Sequence, residues 1–244
     1  MNMSAGIQPK FAMVLAAGIG KRMRPVTATT PKPLIEVGGQ SMIDHGLDRL
    51  AAAGVETAVV NVHYLADLVE VHVSKRQTPN IVVSDERDAL LETGGGVIKA
   101  LPELGSSPFF VINTDSFWIE GVRPNLEMLI DAWDGDKMDM LLMLAPTVSS
   151  IGYSGAGDFS MSKEGLLSRR TERTVSPYVY AGVYLVHPRA LEDEEPGRFS
   201  MNRVFDKLLA KDRLYGALMD GLWLHVGTPD AIEAANRAVL ESAA

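Results

Sequence analysis

The sequence predicts one α/β domain in three layers, with helices on both faces of a central, mostly parallel mixed sheet. Short apolar segments of strand length alternate with helical segments over the first 115 residues, which is typical of parallel, helix-flanked sheets. The length of 244 residues and the hydrophobic share of 46% suit one core. No Pro- or Ser-rich linker divides the chain. Crossovers in such sheets are right-handed, so the strands should share one carboxyl edge.

The first half contains the regular alternation. Strands are predicted where apolar runs of four to six residues occur, over 11–16, 57–62, 81–84 and 109–113. Helices are predicted over 41–53, 64–76 and 96–101. Ser41 is a suitable cap for the first of these helices and Gly54 a suitable stop signal. The segment 17–33 has little apolar periodicity and is predicted to be a loop. This pattern is Rossmann-like.

The second half is more mixed. Strands are predicted over 140–144, 157–162, 166–170, 178–186, 214–219 and 223–226. Helices are predicted over 124–133, from a Ser200 cap to 211, and from Thr228-Pro229 onward. We expect one domain over 1–244 with two lobes, one over about 10–115 and the other over about 116–244.

Composition excludes several classes of protein. The chain has no cysteine, so disulfides and Cys-ligated metals are excluded. A net charge of −8 argues against a general nucleic-acid binder. The apolar runs are too short to span a membrane. The first ten residues lack the apolar segment of a signal peptide and are interpreted as a frayed leader. A cytoplasmic location is expected.

A glycine-rich basic loop follows the first strand. Glycines at 18 and 20 allow backbone N–H groups to approach phosphate oxygens, and charge-assisted donors come from Lys21, Arg22 and Arg24. Met23 stands where a dinucleotide fingerprint has its third glycine, and the P-loop pattern is absent. The alternative interpretation is a solvated basic turn.

Three further features follow predicted strands or the basic loop. Lys32 lies between Pro31 and Pro33, which restrict the backbone on both sides of it. Together with the basic loop, a lysine held in this way is suited to binding phosphate. Alone, such a segment is more often a rigid surface linker. Asp115 follows an apolar strand, where a carboxylate suits Mg²⁺, with a turn cap as the alternative. The three glycines at 94–96 permit close approach of the backbone to a flat nucleobase. The alternative interpretation is a flexible start of a helix.

The motifs together resemble the sugar-nucleotide pyrophosphorylase family, whose signature is LAAGxGxRxxPxTxxxPKPL. The signature matches Leu15 to Leu34 almost without a gap. The resemblance continues through ETGGG at 92–96, NTD at 113–115 and WLHVGT at 223–228. Within the family, the chain is most similar to bacterial N-acetylmuramate-1-phosphate uridylyltransferases, and mannose-1-phosphate guanylyltransferases look alike over the same motifs. The resemblance implies a GT-A-like nucleotidyltransferase fold.

The resemblance also implies a reaction and a site. A nucleoside triphosphate and a sugar-1-phosphate would give a nucleotide sugar and pyrophosphate, with Mg²⁺, or Mn²⁺ as an alternative, as cofactor. The implied catalytic residues are Arg22, Lys32 and Asp115. The implied nucleotide-binding residues are Leu15, Ala16, Ala17, Gly18, Gly20, Lys21, Asp85, Glu92, Thr93 and Gly94. The implied sugar-binding residues are Asn113, Asp158, Gly182 and Asn202. Neither nucleic acid nor membrane is an expected partner, and the expected state is a monomer or small homo-oligomer.

His225 departs from the family pattern, which usually has a second metal-binding aspartate there. Imidazole is a poor Mg²⁺ ligand because Mg²⁺ prefers oxygen. His225 could ligate Mn²⁺, hold a metal-bound water, or be replaced in its function by Asp220. The metal ligands implied by the resemblance are therefore Asp115 and His225. Alternative functions are GTP with mannose-1-phosphate, CTP with another sugar or polyol phosphate, a nucleotide-sugar-binding regulator without catalysis and, more remotely, a nicotinamide dehydrogenase.

Overall fold

The structure is a computed structural model that describes residues 6–242, so the first half of the expected leader, residues 1–5, lies outside it. Strands, numbered in chain order, are β1 (Phe11–Leu15), β2 (Glu36–Val37), β3 (Gln40–Ser41), β4 (Thr57–Val62), β5 (Asn80–Asp85), β6 (Phe109–Asn113), β7 (Ser116–Glu120), β8 (Met140–Pro146), β9 (Phe159–Met161), β10 (Leu167–Arg169), β11 (Tyr178–Val186), β12 (Leu214–Leu218) and β13 (Gly221–His225). Helices are α1 (Met42–Ala52), α2 (Ala66–Val73), α3 (Glu92–Leu104), α4 (Asn125–Ala132), α5 (Asn202–Ala210) and α6 (Pro229–Ser242).

The central sheet is mixed and has nine strands. Its main order is β5-β4-β1-β6-β11-β8-β12, and the hairpin β9-β10 adjoins β11. Strands β5, β4, β1 and β6 run parallel, with Phe11 opposite Thr57 and Ala12 opposite Phe110. β11 is antiparallel to both β6 and β8. The predicted parallel sheet is therefore confirmed, and the carboxyl ends of β1, β4 and β6 meet at one edge.

Helices cover both faces of this sheet. On one face, Leu47 of α1, Val69 of α2 and Leu126 of α4 pack in one buried cluster. On the other face, Val97 of α3 and Val204 of α5 pack in a second cluster. These two cores produce the predicted three layers. Among the helices of residues 6–242, none has the length and apolar character to cross a bilayer.

The sequence prediction missed strand β7. It follows β6 after only two residues and pairs antiparallel with β13, outside the main sheet, with Ser116 opposite His225. Phe117 and Trp118 are buried there. The two strands β6 and β7 form one long apolar stretch interrupted by four polar residues, so periodicity alone does not separate them. The hairpin β2-β3 was missed because two residues carry no period.

The predicted start of α3 was wrong. The helix begins at Glu92, and the glycine run lies inside it. A Cβ atom at Gly94 would lie 2.2 Å from the Phe199 ring, and one at Gly95 would lie 2.0 Å from the Gly197 carbonyl oxygen. The glycines therefore permit close packing of α3 against the segment 197–199. Helix α5 likewise begins later than predicted, at Asn202, whose N–H donates to Ser200 Oγ at 3.3 Å.

The entry to β8 is fixed by a carboxylate held between two guanidinium groups. Asp139, whose side chain is 15% exposed, accepts hydrogen bonds from Arg189 and from Arg213 Nη2, the latter at 2.8 Å. Burial disfavours the charged form of Asp139, but the hydrogen bonds and charges of Arg213 and Arg189 outweigh it and lower its pKa. Asp139 therefore links the start of β8 to the turn that follows β11 and to the start of β12.

Replacing this carboxylate should destabilise the fold in a pH-dependent way. We expect Asp139→Asn to lower the free energy of unfolding at pH 7 by about 1–3 kcal/mol, because two partly buried guanidinium groups lose their charged acceptor. The folded-state pKa lies below the unfolded value of about 3.9, so the contribution is complete above that pH and is lost as pH falls through the folded pKa. Urea unfolding at several pH values measures this difference.

The matched control is Asp136→Asn, which makes the same chemical change at an exposed position of the same loop. We expect no measurable loss of stability from it. Equal losses in the two variants, or a difference between wild type and Asp139→Asn that grows on acidification, would contradict the assignment.

Candidate active site

A cleft of about 430 Å³ lies at the carboxyl ends of β1 and β6. Most of its lining comes from the loop after β1, the start of α3 and the turn after β6, and the rest from Asn61, Ser200 and Gly227. Eleven of the residues implied by the sequence line it: Leu15, Ala17, Gly18, Gly20, Lys21, Arg22, Lys32, Glu92, Thr93, Asn113 and Asp115. The basic loop, Lys32 and Asp115 are therefore brought together as the sequence analysis expected.

The two glycines of the basic loop have different structural roles. Gly20 has φ +66°, and a Cβ there would lie 2.9 Å from Thr27 Cγ2. Thr27 is fully buried, and its hydroxyl donates to the Gly20 carbonyl at 2.8 Å. A Cβ at Gly18 would have no neighbour within 4 Å among the described residues. Gly20 therefore sets the loop conformation, and Gly18 leaves space open in the cleft.

Lys32 and Asp115 form a close ion pair in the cleft. Lys32 Nζ lies 3.3 Å from Asp115 Oδ2, with side-chain exposures of 12% and 35%. Desolvation raises the pKa of Asp115, but the charges of Lys32 and of His225 and the hydrogen bond from Lys32 together lower it. Asp115 is therefore ionised at neutral pH, and its carboxylate keeps access to the cleft.

The turn that carries Asp115 is tied to β1. The Thr114 hydroxyl donates to the Leu15 carbonyl at 2.8 Å, so the ends of β1 and β6 are held side by side. The Val226 N–H donates to the Asp115 carbonyl at 2.9 Å and brings the end of β13 to the same point. Backbone from three strands therefore fixes the position of Asp115.

A buried hydrogen-bond network beneath the cleft was not predicted. Asn61 Oδ1 accepts from the Ala16 N–H at 2.7 Å, and Asn61 Nδ2 donates to Glu86 Oε1 at 2.7 Å. Glu86 Oε2 accepts from the Leu91 N–H at 3.0 Å. Asn61 and Glu86 are 2% and 1% exposed. A polar residue inside the apolar run 57–62 was the available sequence signal for Asn61, since a buried amide needs partners.

A second cavity of about 280 Å³ adjoins the cleft and shares Leu15, Thr93, Asn113 and Ser200 with it. Three of the four implied sugar-binding residues line this cavity: Asn113, Asp158 and Asn202. Asp158 Oδ2 accepts from the Tyr180 N–H at 3.0 Å, which orients the carboxylate at the cavity wall. The sequence missed Arg169 and Tyr184, which also line it.

At the start of α3, two implied residues reach the cleft with their polar groups already engaged. Glu92 Oε1 lies 2.7 Å from Arg198 Nη2, and Thr93 Oγ1 accepts from the Met201 N–H at 2.9 Å. These contacts join α3 to the segment that precedes α5. The segment therefore forms one wall of both cavities.

Two of the implied nucleotide-binding residues do not line the cleft because their polar groups have other partners. The Ala16 N–H is used by Asn61, so it is not a phosphate donor. Asp85 Oδ2 lies 2.7 Å from Arg87 Nη1, which also contacts Asp67 and Glu70. The Asp85 carboxylate therefore belongs to a surface ion-pair cluster. Arg24 is likewise absent from the residues described as lining the cleft.

Two implied glycines also fall outside both cavities, where they serve packing. Gly94 donates its N–H to the Phe199 carbonyl at 2.9 Å and faces the Phe199 ring. Gly182 has φ +85° at the bulge of β11, where a Cβ would lie 2.6 Å from Ser116 Oγ and 3.3 Å from Asn113 Cβ. Gly182 therefore supports Asn113 from behind and does not itself face a cavity.

His225 lies beside Asp115 but outside the set of described residues that line the cleft. Its Nδ1 lies 3.3 Å from the Gly152 carbonyl oxygen, and its ring stacks on Trp223 at a centroid distance of 5.6 Å. Over residues 6–242, no group of three or more His, Cys, Asp or Glu side chains is arranged to hold a metal ion. Asp220 does not compensate, because its carboxylate accepts from the Val122 and Arg123 N–H groups at the opposite end of β13.

Comparison with known proteins gives one family and several near relatives. A family model described as nucleotidyl transferase matches residues 11–242. The chain is 48% identical over 238 residues to the N-acetylmuramate α-1-phosphate uridylyltransferase of Caulobacter vibrioides, covering 96% of this chain and 98% of that protein. It is 32% identical over 220 residues to the enzyme of the same name from Neisseria meningitidis, covering 89% and 93%.

More distant similarities extend to other enzymes and to solved structures. A mannose-1-phosphate guanyltransferase of Schizosaccharomyces pombe is 31% identical over 227 residues, and the match covers 61% of that protein. The inositol-1-phosphate CTP transferase of T. maritima has a similar structure, with a TM-score of 0.75 and 19% identity over 97% of this chain and 96% of that one. The latter similarity concerns the fold, which agrees with the GT-A-like expectation.

The two loop glycines should respond differently to a methyl group. We expect Gly20→Ala to lower the free energy of unfolding by about 1–2 kcal/mol, because its backbone is left-handed and Thr27 lies too close. Gly18→Ala should change it by less than about 0.5 kcal/mol, since its Cβ would point into open space. Thermal or urea unfolding measures both, and a larger loss from Gly18→Ala would show that the loop geometry is wrong.

Proposed function

Because the chain belongs to the nucleotidyl transferase family, we propose that it transfers UMP from UTP to N-acetylmuramate α-1-phosphate, giving UDP-N-acetylmuramate and pyrophosphate. The choice of substrates is supported by the 48% identical relative, which this chain covers almost from end to end. The observation that carries the reaction type is the convergence of the glycine loop, Lys32 and Asp115 in one cleft.

The reaction is a single displacement. A phosphate oxygen of the sugar-1-phosphate attacks the α-phosphorus of UTP, and the bond from that phosphorus to the bridging oxygen of the β-phosphate breaks. Pyrophosphate leaves with the electron pair. The reaction needs no covalent enzyme intermediate, so catalysis consists of positioning and of stabilising negative charge.

The cleft residues divide this work. The open space at Gly18 admits the triphosphate to the loop backbone, and Lys21 and Arg22 supply positive charge beside it. Lys32, held close to Asp115, contacts the α-phosphate or the sugar phosphate. Asn113, Asp158 and Asn202 contact the sugar in the adjoining cavity. Glu92 and Thr93 border the nucleoside.

The donor set fits a Mg²⁺ ion that is shared with substrate. Asp115 offers an ionised carboxylate with access to the cleft, and Mg²⁺ commonly binds one or two carboxylates together with phosphate oxygens and waters. His225 offers nitrogen and suits a second contact only through water or with Mn²⁺. The ion, when bound, neutralises charge that develops on the phosphates.

The proposal extends to the organisation and setting of the protein. Residues of about 10–115 contribute most of the nucleotide cleft, and residues of about 116–244 contribute most of the sugar cavity, within one domain. We assign the reaction to the cytoplasm and to recycling of cell-wall sugars, by analogy with the similar uridylyltransferases. The protein acts as a monomer or small homo-oligomer, without a nucleic-acid or membrane partner.

A panel of nucleotides and sugar phosphates tests the choice of substrates. With Mg²⁺, we expect pyrophosphate release to be fastest for UTP with N-acetylmuramate α-1-phosphate. Faster release from GTP with mannose-1-phosphate would favour the second candidate, which the 31% identical guanyltransferase supports. Tight nucleotide binding without turnover in Mg²⁺ or Mn²⁺ would instead indicate a regulator and contradict the proposal.

Removal of either cleft charge tests the mechanism. We expect Arg22→Ala and Asp115→Asn each to lower kcat/KM by at least about 100-fold, because the first removes positive charge beside the reacting phosphates and the second removes the carboxylate that would hold Mg²⁺. Pyrophosphate release measures the rate, and unfolding experiments confirm that the fold is retained. Arg24→Ala is the control, since it removes a cation from the same loop but outside the cleft. Near wild-type release from either cleft variant would contradict the mechanism.

A further inference from the structure

One cation in the sugar cavity has no function in the reaction described above. Arg169, at the end of β10, lines the second cavity and not the main cleft. Its side chain is 34% exposed. Lys32 and Arg22 already provide positive charge for the phosphates at the cleft. A guanidinium in the adjoining cavity is therefore available for a different anionic group.

The Arg169 guanidinium is held in a fixed orientation. Nε lies 2.8 Å from Asp206 Oδ1, and Nη2 donates to Asn202 Oδ1 at 2.8 Å. Its Cζ lies 4.8 Å from the centroid of the Phe159 ring. Within residues 6–242, the structure gives Nη1 no hydrogen-bond partner. Asp206 is 62% exposed, so this surface pair leaves much of the cation's attraction for an anion intact.

The Tyr184 hydroxyl in the same cavity is also available for a hydrogen bond. Tyr184 lines it and is 1% exposed, and its buried hydroxyl has no hydrogen-bond partner in the described part of the chain. Buried polar atoms are normally paired, so an unpaired hydroxyl beside a cavity indicates a polar ligand there. Burial raises the pKa of Tyr184, which keeps the hydroxyl protonated and able to donate.

The chemistry of the cavity favours a sugar that bears a carboxylate. A neutral sugar offers hydroxyl and amide groups, which Asp158, Asn202 and Tyr184 can satisfy without a cation. A guanidinium that is stacked on an aromatic ring and has a free N–H₂ group is suited to planar carboxylate recognition. N-acetylmuramate differs from N-acetylglucosamine by an ether-linked lactyl group, which ends in a carboxylate.

We propose that Arg169 is the residue that selects an acidic sugar, by binding the carboxylate of the lactyl ether while the 1-phosphate lies at Lys32. This inference rests on the proposed uridylyltransferase function and deepens it. Arg169 contacts the substrate far from the reacting atoms, so it determines which sugar binds and leaves the displacement itself unchanged.

The test compares two sugars that differ only at this group. Wild type and Arg169→Met are assayed with UTP and either N-acetylmuramate α-1-phosphate or N-acetylglucosamine α-1-phosphate. We expect Arg169→Met to lower kcat/KM for the acidic sugar about 10- to 100-fold, mainly through KM, because a charge-assisted hydrogen bond is lost. The kcat/KM for the neutral sugar should fall much less, because that sugar has no carboxylate for Arg169 to bind.

The matched control is Arg173→Met, which removes an exposed cation four residues later, outside both cavities. Its selectivity should equal that of wild type. Arg169→Lys, which keeps the charge without the guanidinium fork, should lose less than Arg169→Met for the acidic sugar. It provides the same comparison if the methionine variant does not fold, and a greater loss for the neutral sugar would contradict the proposal.

The outcomes separate this inference from the function on which it rests. If Arg169→Met lowers kcat/KM equally for both sugars, Arg169 binds a group that they share, such as the phosphate, and the inference is wrong. If wild type prefers the acidic sugar and Arg169→Met retains that preference, the inference alone is wrong. If wild type uses only neutral sugar phosphates, the proposed substrate is wrong and the inference fails with it.

Discussion

The geometry of the cleft depends on one buried amide. Asn61 sits near the end of β4, and its side chain bonds sideways to the Ala16 backbone and to the Glu86 carboxylate. Through Glu86 it also reaches the Leu91 N–H at the entry to α3. A single side chain thus sets the distance between the end of β1, where the glycine loop begins, and the helix that forms the opposite wall. Buried polar groups of this kind are costly when unpaired, which makes their arrangement specific.

The same network explains part of the glycine run. A Cβ atom at Gly96 would lie 2.8 Å from Asn61 Nδ2 and 2.9 Å from Glu86 Oε1. Gly94 and Gly95 leave room for the segment 197–199, which packs against another side of the helix. Three consecutive glycines therefore let one helix approach a polar network and a loop at the same time. The packing, and not flexibility, requires them.

Charge in the cleft is local and opposes the charge of the whole protein. The chain carries −8 overall, yet Lys21, Arg22 and Lys32 line the cleft together with the carboxylates of Asp115 and Glu92. A local cluster of cations at a sheet edge can hold a polyphosphate even on a protein with a net negative charge. The second cavity also combines a cation with a carboxylate, because Arg169 and Asp158 both line it.

Local pattern determined much of the fold. The bounds of β4, β6 and β11 agree with the apolar runs, and Ser41 caps α1 as expected, because these elements carry their own periodicity and cap residues. The parallel run of the first strands and their shared carboxyl edge follow from the alternation of strands and helices, and with them the meeting of the glycine loop, Lys32 and Asp115. Only the tertiary structure decided what β7 pairs with, which glycines serve packing, and where Asp85 and Arg169 point. Those features depend on contacts between residues far apart in the sequence, and a local sequence pattern does not specify which distant residues an element will contact.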